Sequence, residues 1–368
     1  MTLPNKIKYA LIDLGSRLIR EQGTLRAILD EAGIDYSDIE LEGSMKAVWN
    51  NLVSALSFDQ VESLLFVLTE RYPGNTDISA FVENLDRGNI VNLMAHLVDI
   101  IKAKECVLFL GPWFLTCLEE QMQYPFYKYF SGKLADKLTQ NHIYYDHAQR
   151  RNLSYIIDRY ETKERFATVD TQNEALTAYR EGRPSDIFYR QVFSLKFPLI
   201  INTNPDMILP DLFGNNCHFD YYDITNNPDE RNIQSQMLSS SEDNKTIVYN
   251  IYGSFKNQRS VLLTEKDAVN FTKKIYSSQE GIPDALKSII RERYGIFLGF
   301  DFREWHFKIL FDVLDLKNKP GNYCFVETYM NVMEHDQEYY ERYYHMTFIK
   351  NDILKMFDQL KQKAYGNS

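Results

Sequence analysis

Cysteine is scarce and scattered in this chain. Cys106, Cys117, Cys217 and Cys324 are its four cysteines, and none forms a Cys-x-x-Cys pair. That argues against a structural zinc site and for free thiols in a reducing compartment. Basic runs are missing too: the net charge is −10 and no Lys/Arg-rich stretch stands out, so nucleic acid is not expected as a partner. No apolar run approaches the roughly 20 residues that span a bilayer, and no charged region followed by an apolar core opens the chain. We therefore expect a cytoplasmic protein without a signal peptide or membrane contact, and Asn152-Leu153-Ser154 as an incidental glycosylation match. The seven histidines do not fall at His-x-x-x-His or His-x-His spacing, so no metal is expected. There is no Gly-x-x-x-x-Gly-Lys-Ser/Thr loop and no Gly-x-Ser-x-Gly elbow. Repeats of fixed period are absent, and the stretch nearest to low complexity, 238–244, reads as a surface loop.

What the chain does have is size and aromatic mass. Its 368 residues and 43.3 kDa allow two domains, each with its own core. Twenty-five tyrosines and 23 phenylalanines, clustered at Tyr221-Tyr222, Tyr339-Tyr340 and Tyr343-Tyr344, read as large rings filling core. Residues 1–100 are helical in pattern: Ile7, Ala10, Leu11, Leu14 and Leu18, then Val48, Leu52, Val53 and Leu56, then Val61, Leu64, Leu65 and Leu68. Ser57 is placed to cap the last of these. Tyr72-Pro73-Gly74-Asn75 stops it, a helix follows over 77–85, and Asp86-Arg87-Gly88-Asn89 is expected to break the chain before another over 90–101. On Trp49-Asn50-Asn51-Leu52 and Glu70-Arg71-Tyr72-Pro73-Gly74-Asn75, residues 1–100 resemble the effector-associated domains, small death-like helical modules of bacterial conflict proteins. The resemblance implies a protein partner recruited by pairing with a like domain, and a homo-oligomer. An ordinary helical bundle is the other reading of the same residues.

From Cys106 the pattern turns to strands alternating with helices. Strands are predicted at 107–110, 199–203, 218–222, 246–251, 261–263, 296–299, 323–327 and 346–349, with a final helix over 352–361. Glu119-Glu120 reads as an exposed helix face within helical material over 116–195. The predicted fold class for 101–368 is α/β: a doubly wound, mainly parallel sheet whose helical insertion lids one side of a crevice at the carboxyl ends of the strands.

Four strand ends carry polar groups into that crevice: Gly111-Pro112-Trp113, Asn202-Thr203-Asn204-Pro205-Asp206, Tyr252-Gly253-Ser254 and Gly299-Phe300-Asp301-Phe302-Arg303. In this order they resemble the sirtuin-like NAD-binding fold. The resemblance implies NAD as cofactor or substrate. It gives Asn204 the role of positioning water or ribose, with Asp206 as its family partner and Thr203, just before Asn204, at the cofactor. It places Gly111, Gly253, Ser254, Gly299 and Arg303 along the cofactor.

Two departures from the family pattern matter. Relatives carry Gly-Ala-Gly where this chain has Gly111-Pro112-Trp113, so Trp113 either stacks on a ligand or plugs the pocket. Relatives carry His-Gly where this chain has Tyr252-Gly253, and a phenol of pKa about 10 is a weak base at neutral pH. The four-cysteine zinc module of the deacetylases is absent. Thr264 and Asp267 read as a helix cap, and Asn204 could equally serve turn chemistry. Two functions stay open: a conflict-system effector or adaptor with a degenerate site, and an NAD glycohydrolase switched on by oligomerisation, with Tyr252 in the place of the base.

Overall fold

A computed structural model of the chain describes residues 5–56, 58–119, 121–164, 168–182, 184–225, 245–276, 281–319, 321–327 and 332–366. The chain divides into two units, Met1–His96 and Leu97–Ser368. Ser57, Glu120 and the 238–244 stretch lie outside the described residues.

The first unit is built from helices Asn5–Leu18, Gln22–Glu31, Met45–Ala55, Phe58–Arg71 and the start of Thr76–Lys102. The helical periodicity is what buries it: Leu11, Leu14, Val48, Leu52, Val53, Val61, Leu64, Leu65 and Leu68 all belong to one apolar core. Trp49 is fully buried at its centre, and Gly15 is needed opposite, because a Cβ there would overlap the indole ring. The stop after Arg71 is as expected, with Gly74 at φ 80 and the Asn75 side chain accepting from Asp77 N (3.0 Å) and Ile78 N (3.1 Å). The expected break at 86–89 does not occur, and one helix runs Thr76–Lys102. A single interior glycine costs a helix only about 1 kcal/mol, which its flanking turns can absorb.

The second unit is organised by a seven-stranded sheet. Its strands are β1 (Cys106–Leu110), β4 (Leu199–Asn202), β5 (Cys217–Tyr221), β6 (Thr246–Asn250), β7 (Tyr294–Leu298), β8 (Asn322–Val326) and β9 (Met346–Lys350). The order is β5-β6-β4-β1-β7-β8-β9 and every pairing is parallel. The chain winds outward from β1 to one side and then returns to its other side at β7. Leu110 therefore pairs with both Asn202 and Leu298, and the loops after β1, β4 and β7 leave the sheet at one level. That is the switch point at which open α/β sheets bind ligands. Strands covered on both faces read as unbroken apolar runs, which is why β1 and β4 were visible in the sequence. The Phe109 and Phe297 rings stack at 4.4 Å across the central pair.

Two elements differ from expectation. The segment 116–195 is not helical throughout: it opens with an antiparallel hairpin, β2 (Thr116–Glu119) and β3 (Met122–Pro125), before helices Phe126–Gln140, Leu153–Glu164, Thr168–Gly182 and Ile187–Leu195. Glu119 thus sits on a strand, where its carboxylate accepts from Arg151, and not on an exposed helix face. Residues 261–263 do not form a strand. Their backbone donors are committed elsewhere, Leu262 N to the Tyr252 carbonyl (3.1 Å) and Leu263 N to the Asp267 carboxylate (3.0 Å). The same carboxylate completes the Thr264–Asp267 capping box of the helix Glu265–Ile275, as expected.

Candidate functional site

The end of β4 is a fully buried polar knot. Asn202, Thr203, Asn204 and Asp206 have no solvent exposure. Thr203 Oγ1 donates to the Leu110 carbonyl (2.8 Å), tying β4 to β1. Asn204 Nδ2 donates to the Gly111 carbonyl (3.0 Å) and to Asn202 Oδ1 (3.1 Å). Asp206 accepts from Tyr189 Oη (2.9 Å), from Asn202 Nδ2 (3.3 Å) and from Ile208 N (2.9 Å). Burial raises the Asp206 pKa, while those three donors oppose the rise. Turn chemistry is therefore present, since Asn202 Oδ1 accepts from Asn204 N and Asp206 from Ile208 N. It leaves one group over: Asn204 Oδ1 is buried with no hydrogen-bond partner among the described residues.

The glycines hold loops against loops. Gly111 N donates to the Leu298 carbonyl (2.7 Å) and Trp113 N to the Gly299 carbonyl (3.0 Å). A Cβ on Gly111 would overlap that Gly299 carbonyl, and one on Gly299, at φ 72, would lie 2.9 Å from Phe114 N. Gly253, at φ 88, is pressed on the Ser260 carbonyl in the same way. Ser254 N donates to Ser260 Oγ (2.9 Å), closing the turn after β6. Arg303 is 61 % exposed in its side chain and forks onto Asp301 of its own turn, at 2.8 and 2.6 Å.

Beside this knot lies a cleft of about 360 Å³. Trp113 and Tyr252 line it, whereas Gly111, Thr203, Asn204, Asp206, Gly253, Ser254, Gly299 and Arg303 do not. The Lys128 ammonium stands 4.3 Å from the Trp113 ring centre, so Trp113 forms a wall of the cleft with one face covered by a cation. The Tyr252 ring is 94 % buried among Phe271, His306 and Phe307. Burial drives its pKa well above 10, which removes it as a base. Its hydroxyl has no partner among the described residues.

The helical insertion supplies Tyr127, Lys128, Arg151 and Ser154 as one side of the cleft. Tyr127 touches both regions: its ring lines the cleft, and its hydroxyl reaches the Thr203 carbonyl at 3.4 Å. The loop after β7 supplies Asp301 and Glu304, and the first turn of the helix that follows, Trp305–Val313, supplies His306. Sequence reasoning passed over these last two and Lys128. The available signal was Glu304-Trp305-His306, two ionisable groups just after a strand end. Burial lowers the His306 pKa to about 4, so the imidazole is neutral at physiological pH.

Residues 198–349 match the model of the SIR2-like domain, and residues 1–86 match that of Effector-associated domain 1. The second unit carries a SIR2-like domain. The matched span runs from the entry of β4 to β9, so β1 and the Gly111-Pro112-Trp113 turn of the SIR2-like unit lie outside it. No curated protein matches the chain. Among the described residues, no helix is long and apolar enough to cross a membrane, and no group of three His, Cys, Asp or Glu is placed to hold a metal.

Proposed function

We propose that this chain is a cytoplasmic conflict-system effector. Its SIR2-like unit takes an NAD-type ligand in the cleft between Trp113 and Tyr252, and its effector-associated unit, with a boundary near residue 100, recruits a protein partner and supports self-association. The observation that carries the ligand reading is the unpartnered Tyr252 hydroxyl. An almost wholly buried hydroxyl costs about 1–3 kcal/mol when unmatched, a cost that a polar ligand would remove by shifting the side chains that now seal the oxygen from the cleft. The rest of the cleft suits a nucleotide: aromatic walls from Trp113 and Tyr127 for a ring, and Lys128 and Arg151 for phosphate charge. The Gly111 turn is closed by Gly299, so phosphate recognition rests on those cations and not on that backbone. Exposed Tyr9 and Phe66, 70 % and 68 % accessible, support a protein-binding role for the first unit.

Isothermal titration with NAD, followed by assay of the same sample for nicotinamide release, tests the reading. Binding supports it, and no binding to the full chain refutes it. Light scattering on the full chain tests self-association, and a strictly monomeric chain at all concentrations refutes that part. A second reading, NAD hydrolysis, is favoured by one observation: the cleft holds ionisable groups other than Tyr252, at Glu304 and His306.

A further inference from the structure

We infer that Glu304 is the proton acceptor of this cleft and that His306 positions it, so that acid–base chemistry has moved from the loop after β6 to the loop after β7. This rests on the reading that the cleft binds NAD. The geometry is that of a paired site. Asp301-Phe302-Arg303-Glu304 makes a turn in which Glu304 N donates to the Asp301 carbonyl (3.1 Å), and the helix Trp305–Val313 begins directly after it. Both Glu304 and His306 line the cleft, with His306 Nδ1 3.9 Å from Glu304 Oε2, longer than a hydrogen bond, as contacts between catalytic groups often are before a ligand draws them together. The imidazole packs against Phe307 and Tyr252, ring centres at 4.3 and 5.8 Å, so it is held in place by the same side chain whose hydroxyl is left unpartnered. Glu304 is 54 % exposed in its side chain, enough to meet water.

The charges around the pair are arranged for base chemistry. Partial burial raises the Glu304 pKa first, and the charges of Asp301 and Glu265 raise it further, against Arg303 and Lys128, which lower it. Asp301 is itself held below the usual carboxylate range by its Arg303 fork, although burial opposes this. Two carboxylates of one cleft are thus pushed apart, one kept ionised and one made more basic, as acid–base sites require. His306, neutral, offers a hydrogen-bonding nitrogen without a competing positive charge.

The step balances with water as the only co-reactant. A water gives one proton to the Glu304 carboxylate as its oxygen bonds to the ribose C1′ of NAD. The C1′–N bond breaks, and its electron pair stays on the nitrogen, which leaves as neutral nicotinamide. Glu304 then returns the proton to solvent.

The test compares the full chain with Glu304→Gln, Glu304→Asp and His306→Gln, reading NAD affinity by titration calorimetry and nicotinamide release across pH 4–9. Glu304→Gln should lower release by about 100-fold or more at an NAD Kd within about threefold of the parent, and Glu304→Asp should recover part of it. Release by the parent should fall as pH drops through the raised Glu304 pKa. His306→Gln should move that limb without abolishing it. Parent-like release from Glu304→Gln overturns the assignment. Binding without release by the parent overturns it while leaving the ligand reading intact, and absence of binding overturns both.

Discussion

Lys319 offers a measurement that does not depend on any ligand. It lies just before β8, 7 % exposed, with its ammonium nitrogen 4.9 Å from the Phe109 ring centre. That nitrogen has no hydrogen-bond partner among the described residues, and neither has the neighbouring Asn322 Oδ1. Both atoms face the side of Gly295 where a Cβ would stand. Burial lowers the Lys319 pKa from 10.5 to about 7, with the Cys106 thiol weakly opposing. The unfolded chain holds this proton up to pH 10.5 while the folded chain releases it near 7, so stability rises with pH between those values. The slope is about 1.4 kcal/mol per pH unit and the full span about 5 kcal/mol, as an upper bound before local relaxation. Replacing Lys319 with Met, of similar length and without charge, should stabilise the second unit by a few kcal/mol at pH 7. The advantage should shrink towards zero as the pH approaches 10.5. Urea unfolding of both proteins, followed by circular dichroism at several pH values, gives the difference directly. A stability difference that stays flat from pH 7 to 10 would show that Lys319 is not buried as a neutral amine and would refute the reasoning.

Other sites give sharp expectations. Tyr252→Phe removes an unpartnered buried hydroxyl, so the ligand-free protein should gain about 1–3 kcal/mol in thermal unfolding while its NAD affinity falls; a loss of stability would mean that the hydroxyl is already satisfied. Gly15→Ala drives a methyl group into the Trp49 indole and should cost about 1–3 kcal/mol, visible as a lower melting temperature of the first unit. Thr264→Ala deletes the cap on Asp267 N (3.1 Å) and should cost about 1 kcal/mol in urea unfolding, with Thr264→Ser nearly neutral.

The strand ends were legible because apolar runs such as Leu199-Ile200-Ile201 stop abruptly at polar residues, and a parallel sheet buries such runs on both faces. The four-residue strands of the hairpin were not, because Thr116-Cys117-Leu118-Glu119 has no alternation long enough to separate it from a helix. Asn204 was legible as a polar residue at a strand end. Its complete burial was not, since its hydrogen-bond partner Gly111 is distant in sequence. The residues around Trp113 left stacking and plugging open, with plugging favoured, and the cation that covers one face of the ring comes from the helix Phe126–Gln140. His306 carried no signal of spacing. Its meaning comes from the Tyr252 ring that packs beside it.

The complete burial of Asn204 has a consequence in time as well as in space. Asn204 is fully buried, so its spare oxygen can meet a ligand only in the fraction of molecules in which the packing around it has opened. An open fraction of about 1 % would weaken the apparent affinity of the deep subsite about 100-fold. Association traces would then level off as the NAD concentration rises, at a ceiling set by how often the buried knot opens.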